Sequence, residues 1–168
     1  CSGGEAILMA DAAQGRNLRF PDFTPAQREA VEATVSELVT VSNPFDYHTF
    51  MWGDAPAMAE TFAAVMRARF DITCLILDLP RGDRCDDSLW RPAMDGLLRA
   101  QAATGSRAAL VATMPEGLPE DVAARCLENG VAPLIGLENA LAAIATAADL
   151  GERRPGAPAA PQILAAPE

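Results

Sequence analysis

The run Ile72-Thr73-Cys74-Leu75-Ile76-Leu77-Asp78-Leu79 constrains the fold more than any other part of this chain. It is almost continuously apolar and is closed by Pro80. A strand with one wet face alternates apolar and polar residues. A strand of a parallel sheet is covered on both faces and reads as an unbroken apolar run. Arg107–Ala112 repeats the pattern ahead of Pro115, and Val131-Ala132-Pro133-Leu134 predicts a third, short strand at a sheet edge.

Helical patterns alternate with these stretches. Glu5–Ala13 is rich in helix formers and is stopped by Gly15. Thr24 followed by Pro25 predicts an N-cap and a first helical proline, with the helix running to about Leu38. Asp54 caps a helix that lasts to about Arg69, and further helices are predicted over 87–103, 119–128 and 138–149. Val39-Thr40-Val41 is a short β-branched stretch ahead of Ser42-Asn43-Pro44. Strand and helix in alternation, joined by short connections, give an α/β fold with a doubly wound parallel sheet. Ser2-Gly3-Gly4 is a loop-to-helix signal with nothing before it, so the first strand is expected before residue 1, in a longer protein. One domain is expected over 1–150. Residues 151–168 read as a Pro/Ala-rich linker to a further, downstream domain.

Charge narrows the function classes. The net charge is −10, which argues against a nucleic-acid or anionic-membrane binder, since both need a basic face. All 13 basic residues are arginine. With no lysine, neither a Schiff base nor a phosphate loop ending in Lys can form within this chain. His48 is the single histidine, which excludes a multi-histidine metal site. The four cysteines, Cys1, Cys74, Cys85 and Cys126, show no metal-finger or CxxC spacing, and a reduced, cytoplasmic setting is the expectation. No apolar stretch reaches the roughly 18 residues of a membrane span.

Ligands of open parallel sheets bind at the carboxyl ends of the strands. Three segments fall there. Ser2, Gly3 and Gly4 open a helix, where backbone N–H groups and the helix dipole favour an anion; the same residues suit an ordinary tight turn. Glu5 would repel such an anion unless it turns away. Asn43-Pro44-Phe45-Asp46 is a rigid turn whose Asn43 and Asp46 either cap backbone groups or shape an anion pocket. Arg81 and Arg84 flank Gly82 after the clearest strand, as anion contacts or as a solvated pair. His48, between Tyr47 and Phe50, is expected to be packed and hydrogen-bonded rather than catalytic. Asp83, Asp86 and Asp87 suggest helix caps more than a Mg²⁺ site, and no metal site is expected.

These motifs, in this order, resemble a known family. Ser2-Gly3-Gly4 opens an Ala-rich helix with Asp11-Ala12-Ala13; Asn43-Pro44-Phe45-Asp46 follows; then come Asp71-Ile72 before a buried strand ending in Pro80, and a late Gly130-Val131-Ala132-Pro133. Over about residues 1–149 the chain is similar to the second flavodoxin-like domain of the NDP-forming acyl-CoA synthetases. This superfamily includes succinyl-CoA synthetase, and the likeness is greatest to its acetate–CoA ligase (ADP-forming) branch. The resemblance implies a flavodoxin-like sheet and a modular enzyme that makes acyl-CoA from a small acid, CoA and ATP. In that family a CoA-binding domain, a domain carrying a phosphohistidine and an ATP-grasp domain do most of the binding. CoA and ATP/ADP with Mg²⁺ would be cofactors of the complete enzyme, an oligomer is expected, and this chain alone would be inactive. Ser2, Gly3, Gly4, Asn43 and Asp46 would then line one half of a phosphate site, and no catalytic residue would lie in this chain. Glu5 and the bulky run Tyr47–Trp52 depart from the family pattern. The alternatives are a regulatory module fused to a protein acetyltransferase, or a non-catalytic flavodoxin-like binding domain.

Overall fold

The computed structural model describes residues 3–153. Three strands, β1 (Thr73–Ile76), β2 (Ala108–Ala112) and β3 (Val131–Ile135), form one parallel sheet in the order β1-β2-β3. Six α-helices accompany them: α1 (Gly4–Ala12), α2 (Pro25–Glu32), α3 (Ala55–Met66), α4 (Arg91–Thr104), α5 (Glu120–Glu128) and α6 (Leu137–Arg153). The chain is α/β with helices on both faces of a parallel sheet, as the apolar runs require.

The register sorts the side chains by face. Leu75 and Leu110 point toward α3, α4 and α5, where Met58, Met94, Leu97 and Val122 complete the largest core. Ala109 and Val111 point the other way, toward Ala140 of α6, while Met9 and Ala13 of the α1 region pack on Leu141. All five residues of β2 are buried, which is why this central strand has no polar side chain. The most extensive helix–helix contact among the described residues is between α3 and α4. A Cβ placed at Gly96 would lie 2.8 Å from Met58 Cβ, so the absence of a side chain sets the helix spacing.

Local chemistry explains most element ends. Thr24 and Gln27 form a reciprocal capping box at α2, and the Asp54 carboxylate accepts from the Ala57 amide at α3. Gly105, in left-handed conformation, ends α4.

Four boundaries differ from expectation. Helix α2 ends at Glu32, not near Leu38: Thr34 donates its hydroxyl to the Val31 carbonyl, and Val35 and Val39 close further turns. Residues 39–41 are buried at Val39 and Val41 but lie outside the sheet. Helix α4 starts at Arg91 rather than 87, because Asp86 and Asp87 are used in a turn that caps Ser88 and Trp90. Helix α6 continues through Gly151 to Arg153; residues 154–168 of the expected linker lie outside the described residues, as do Cys1 and Ser2.

Candidate functional site at the carboxyl end of β1

Helix α1 begins where β1 ends. Glu5, Tyr47, Ile76 and Asp78 line one small hollow there, together with Trp52 and Trp90. The two indoles meet edge to face, with centroids 5.8 Å apart. Gly3 is the N-cap of α1, with φ 79° and ψ −17°. Glycine takes this left-handed conformation without strain, and no side chain caps the helix at this position. A Cβ at Gly3 would lie 3.5 Å from Asp46 Oδ2. The Gly3-Gly4 turn and the Asn43–Asp46 loop, far apart in sequence, thus meet at the opening of α1.

The loop is held by its own polar groups. Asn43 donates its side-chain amide to the Pro21 carbonyl at 3.0 Å, and the Asn43–Pro44 peptide is cis. Asp46 accepts the His48 backbone N–H at 2.9 Å through Oδ1, and its Oδ2 stands 3.8 Å from His48 Nε2. His48 is not packed as expected. Its side chain is 43% exposed, it stacks on the exposed Phe50, and its backbone has φ 59° and ψ 177°. A residue with a Cβ rarely adopts that conformation, so the loop stores strain beside Asp46.

The electrostatics of this mouth are mixed. The start of α1 offers backbone donors and the positive end of a helix dipole. Against that stand two carboxylates. Tyr47 is pushed well above the ordinary phenol range by burial, then by the negative charges of Asp46 and Glu5. Its hydroxyl therefore stays protonated. A phosphate about 4 Å from a carboxylate is repelled by roughly 4 kcal/mol at the dielectric of a protein surface. A helix N-terminus returns about 2 kcal/mol at most. A phosphate here needs a further positive charge.

The arginines proposed from sequence do not supply it. Arg81 holds Asp83 in a two-pronged pair at 2.9 and 2.7 Å, and Arg84 Nε is 3.9 Å from the same carboxylate. Both arginines are exposed, and neither lines the hollow at the start of α1 or the groove beside it. The three aspartates of this region are likewise committed: Asp83 to Arg81, Asp86 to the backbone and hydroxyl of Ser88, and Asp87 to Arg91. Among the described residues, no group of three His, Cys, Asp or Glu is placed to hold a metal ion. No helix of the described residues is long and apolar enough to cross a membrane.

Asp78 was not anticipated as a positioning residue. It is the polar residue inside the apolar run, just before Leu79, and accepts from the Thr113 hydroxyl at 2.6 Å and the Met114 amide at 3.1 Å. It presses so close to Gly117 that no side chain fits there. Asp78 ties the loop after β1 to the loop after β2 and fixes one wall of the hollow. Its partners lie 35 and 36 residues away, beyond the reach of local pattern reading.

Compared with known proteins, the chain matches no family model and no curated sequence.

Proposed function

We propose that this chain is a module of an acid–CoA ligase (ADP-forming), with a flavodoxin-like sheet whose first strand lies ahead of residue 1. The reading rests on the motif order described above. The observation that carries it is the approach of Gly3 to Asp46, which joins its two principal motifs at one helix start. The overall reaction is acid + CoA + ATP → acyl-CoA + ADP + phosphate, by way of an acyl phosphate and a phosphohistidine. When bound in neighbouring domains, ATP with Mg²⁺ supplies the phosphoryl group and CoA supplies the thiol.

The part of this chain is to position and to neutralise. Backbone donors at Gly3 and Gly4 face the phosphate from one side; Ser2, which the resemblance assigns to the same site, lies outside the described residues. Asn43 braces the Asp46 loop through Pro21, and Tyr47 offers a protonated hydroxyl under the site. Asp46 and Glu5 make the isolated module a poor phosphate binder, so the missing positive charge comes from another domain. That dependence accounts for an inactive module when separated. Arg81 and Arg84 act, in this reading, as anion contacts only after leaving Asp83.

The test is an assay of the polypeptide that carries this domain together with the CoA-binding, phosphohistidine and ATP-grasp modules. With a panel of short and aromatic carboxylic acids, ADP release should depend on both acid and CoA and match thioester formed. ADP release that ignores CoA, or none with any acid, would overturn the reading.

A further inference from the structure

The hollow at the carboxyl end of β1 gathers negative charge and aromatic surface in one small space. Its volume is about 90 Å³. That is the share of about three waters in the liquid, so it takes a small headgroup and no more. Asp78 reaches it from the end of β1 and Glu5 from the first turn of α1, and no basic side chain lines it. Trp52 and Trp90 form its aromatic side, with their rings perpendicular and their centroids 5.8 Å apart. Tyr47 is 8% exposed, and among the described residues its hydroxyl has no hydrogen-bond partner. It lines both this hollow and the groove that holds Gly3 and Asp46. Burial, then the charges of Asp46 and Glu5, hold that hydroxyl protonated, which marks the negative potential around it.

The walls select the kind of cation. Among the described residues, no three His, Cys, Asp or Glu side chains gather to hold a metal ion. Asp78 accepts from the Thr113 hydroxyl through Oδ2 and from the Met114 amide through Oδ1. Neither donor is charged, so the carboxylate's charge stays unbalanced while half its lone-pair sites are spent. A primary ammonium would press N–H groups against the indoles without enough acceptors to satisfy them. An alkylated ammonium has no N–H to satisfy. Its methyl groups pack on aromatic rings, and its charge is held by the ring quadrupoles and the nearby carboxylates. We propose that the hollow binds the alkylated ammonium headgroup of a zwitterionic acid whose carboxylate reaches the start of α1. The inference rests on the ligase reading for the fate of that carboxylate, and it names the class of acid. Tyr47 stands between the two ends and donates its hydroxyl to the carboxylate. The headgroup offsets Glu5 and Asp78. Glu5, which opposes a simple anion, thereby becomes the reason a zwitterion is preferred to one.

The experiment titrates the 168-residue chain with glycine betaine and with 3,3-dimethylbutanoate, in which carbon replaces the charged nitrogen. The two acids share their shape and their carboxylate. Trp52 and Trp90 are the chain's two tryptophans, so intrinsic fluorescence reports on the hollow directly. At constant ionic strength, glycine betaine should change the emission saturably and bind at least about tenfold more tightly than the neutral isostere. Asp78→Asn removes the charge and keeps an acceptor for the Met114 amide and a partner for the Thr113 hydroxyl. It should lose most of that preference. If this variant loses the parental far-ultraviolet spectrum, Glu5→Gln is read in its place, with the same loss expected. No saturable change with glycine betaine, equal affinity for the two acids, or a preference that survives removal of the charge in a folded variant would overturn the proposal. The ADP assay with the same two acids separates it from the ligase reading. Betaine-selective fluorescence with no ADP from any acid would overturn the ligase reading and leave the headgroup site. ADP release that favours 3,3-dimethylbutanoate would leave the ligase reading and overturn this one.

Discussion

Gly3 and Asp46 meet across the opening of α1, with 3.5 Å between the carboxylate and the position a Cβ would take at Gly3. The pair puts a helix's positive end and a negative side chain in one small volume. Each tempers the other, and the balance decides whether an anion can enter.

That balance gives the first prediction. Replacing Asp46 with Asn removes the charge and keeps the side-chain oxygen that accepts the His48 amide. Asp46→Asn should tighten binding of inorganic phosphate to the chain by at least about tenfold, since the roughly 4 kcal/mol of repulsion it relieves exceeds the 1.4 kcal/mol of one decade. Chemical shifts of the Gly3 and Gly4 amides during a phosphate titration would show it. An unchanged or weaker affinity would place the anion elsewhere.

His48 carries a left-handed φ of 59° with an extended ψ, and its ring is half exposed. Removing the side chain alone does not relieve that strain, whereas removing Cβ does. His48→Gly should be more stable than His48→Ala by about 1 kcal/mol, read as the difference between their urea midpoints. If the alanine form is the more stable, the loop relaxes without the strained conformation.

Helices α3 and α4 touch at Gly96 and Met58, where the spare distance is 2.8 Å from a Cβ at Gly96. Met58 is fully buried and cannot swing into solvent. Gly96→Ala gains about 1 kcal/mol of helix propensity but overpacks the interface at a cost of about 1–3 kcal/mol. The net effect should be a lower thermal midpoint. A raised midpoint would mean that the helices separate freely.

Arg91 joins the starts of α4 and α5, bonding Asp87 Oδ2 at 2.9 Å and Asp121 Oδ2 at 2.8 Å. The hydrogen bond from Arg91 holds the Asp121 carboxyl below its ordinary range, and the guanidinium charge adds to it. A lowered carboxyl stabilises the folded state fully above about pH 4, and that share is lost as pH falls through the lowered value. Because Asp121 is largely exposed, the share is small, about 0.5 kcal/mol. Asp121→Asn should lower stability slightly at pH 7 and converge with the parent as pH falls through the lowered value. A constant gap between the two across that range would show that the carboxylate is not involved.

The parallel sheet was legible because burial on both faces leaves a mark in every residue of a strand. Ala108–Ala112 carries that mark and is wholly buried. Caps at Thr24 and Asp54 were legible because their chemistry is local. The end of α2 was not, since Thr34 turns the chain through a side-chain bond that competes with the helix. Of the candidate site, the sequence located the Gly3-Gly4 turn and the Asn43–Asp46 loop. It did not foresee that Asp83 would occupy Arg81, or that Asp78 would reach Thr113. Those pairings depend on how loops meet in space, and neighbouring residues carry no trace of them. The half-exposed face of β1 is the reverse case: its sequence states a need for covering that the described residues leave unmet.

The measurement that tests the central claim most directly is acyl-CoA formation by the multidomain polypeptide proposed to be the ligase, carrying Gly4→Val. Gly4 is exposed at the first turn of α1, so valine is accommodated without disturbing the core. With the far-ultraviolet spectrum and melting curve unchanged, the account predicts that turnover falls by about a hundredfold or more, as loss of a preorganised backbone cradle does. Turnover equal to the parent's would contradict it, because the start of α1 would then face no reacting phosphate.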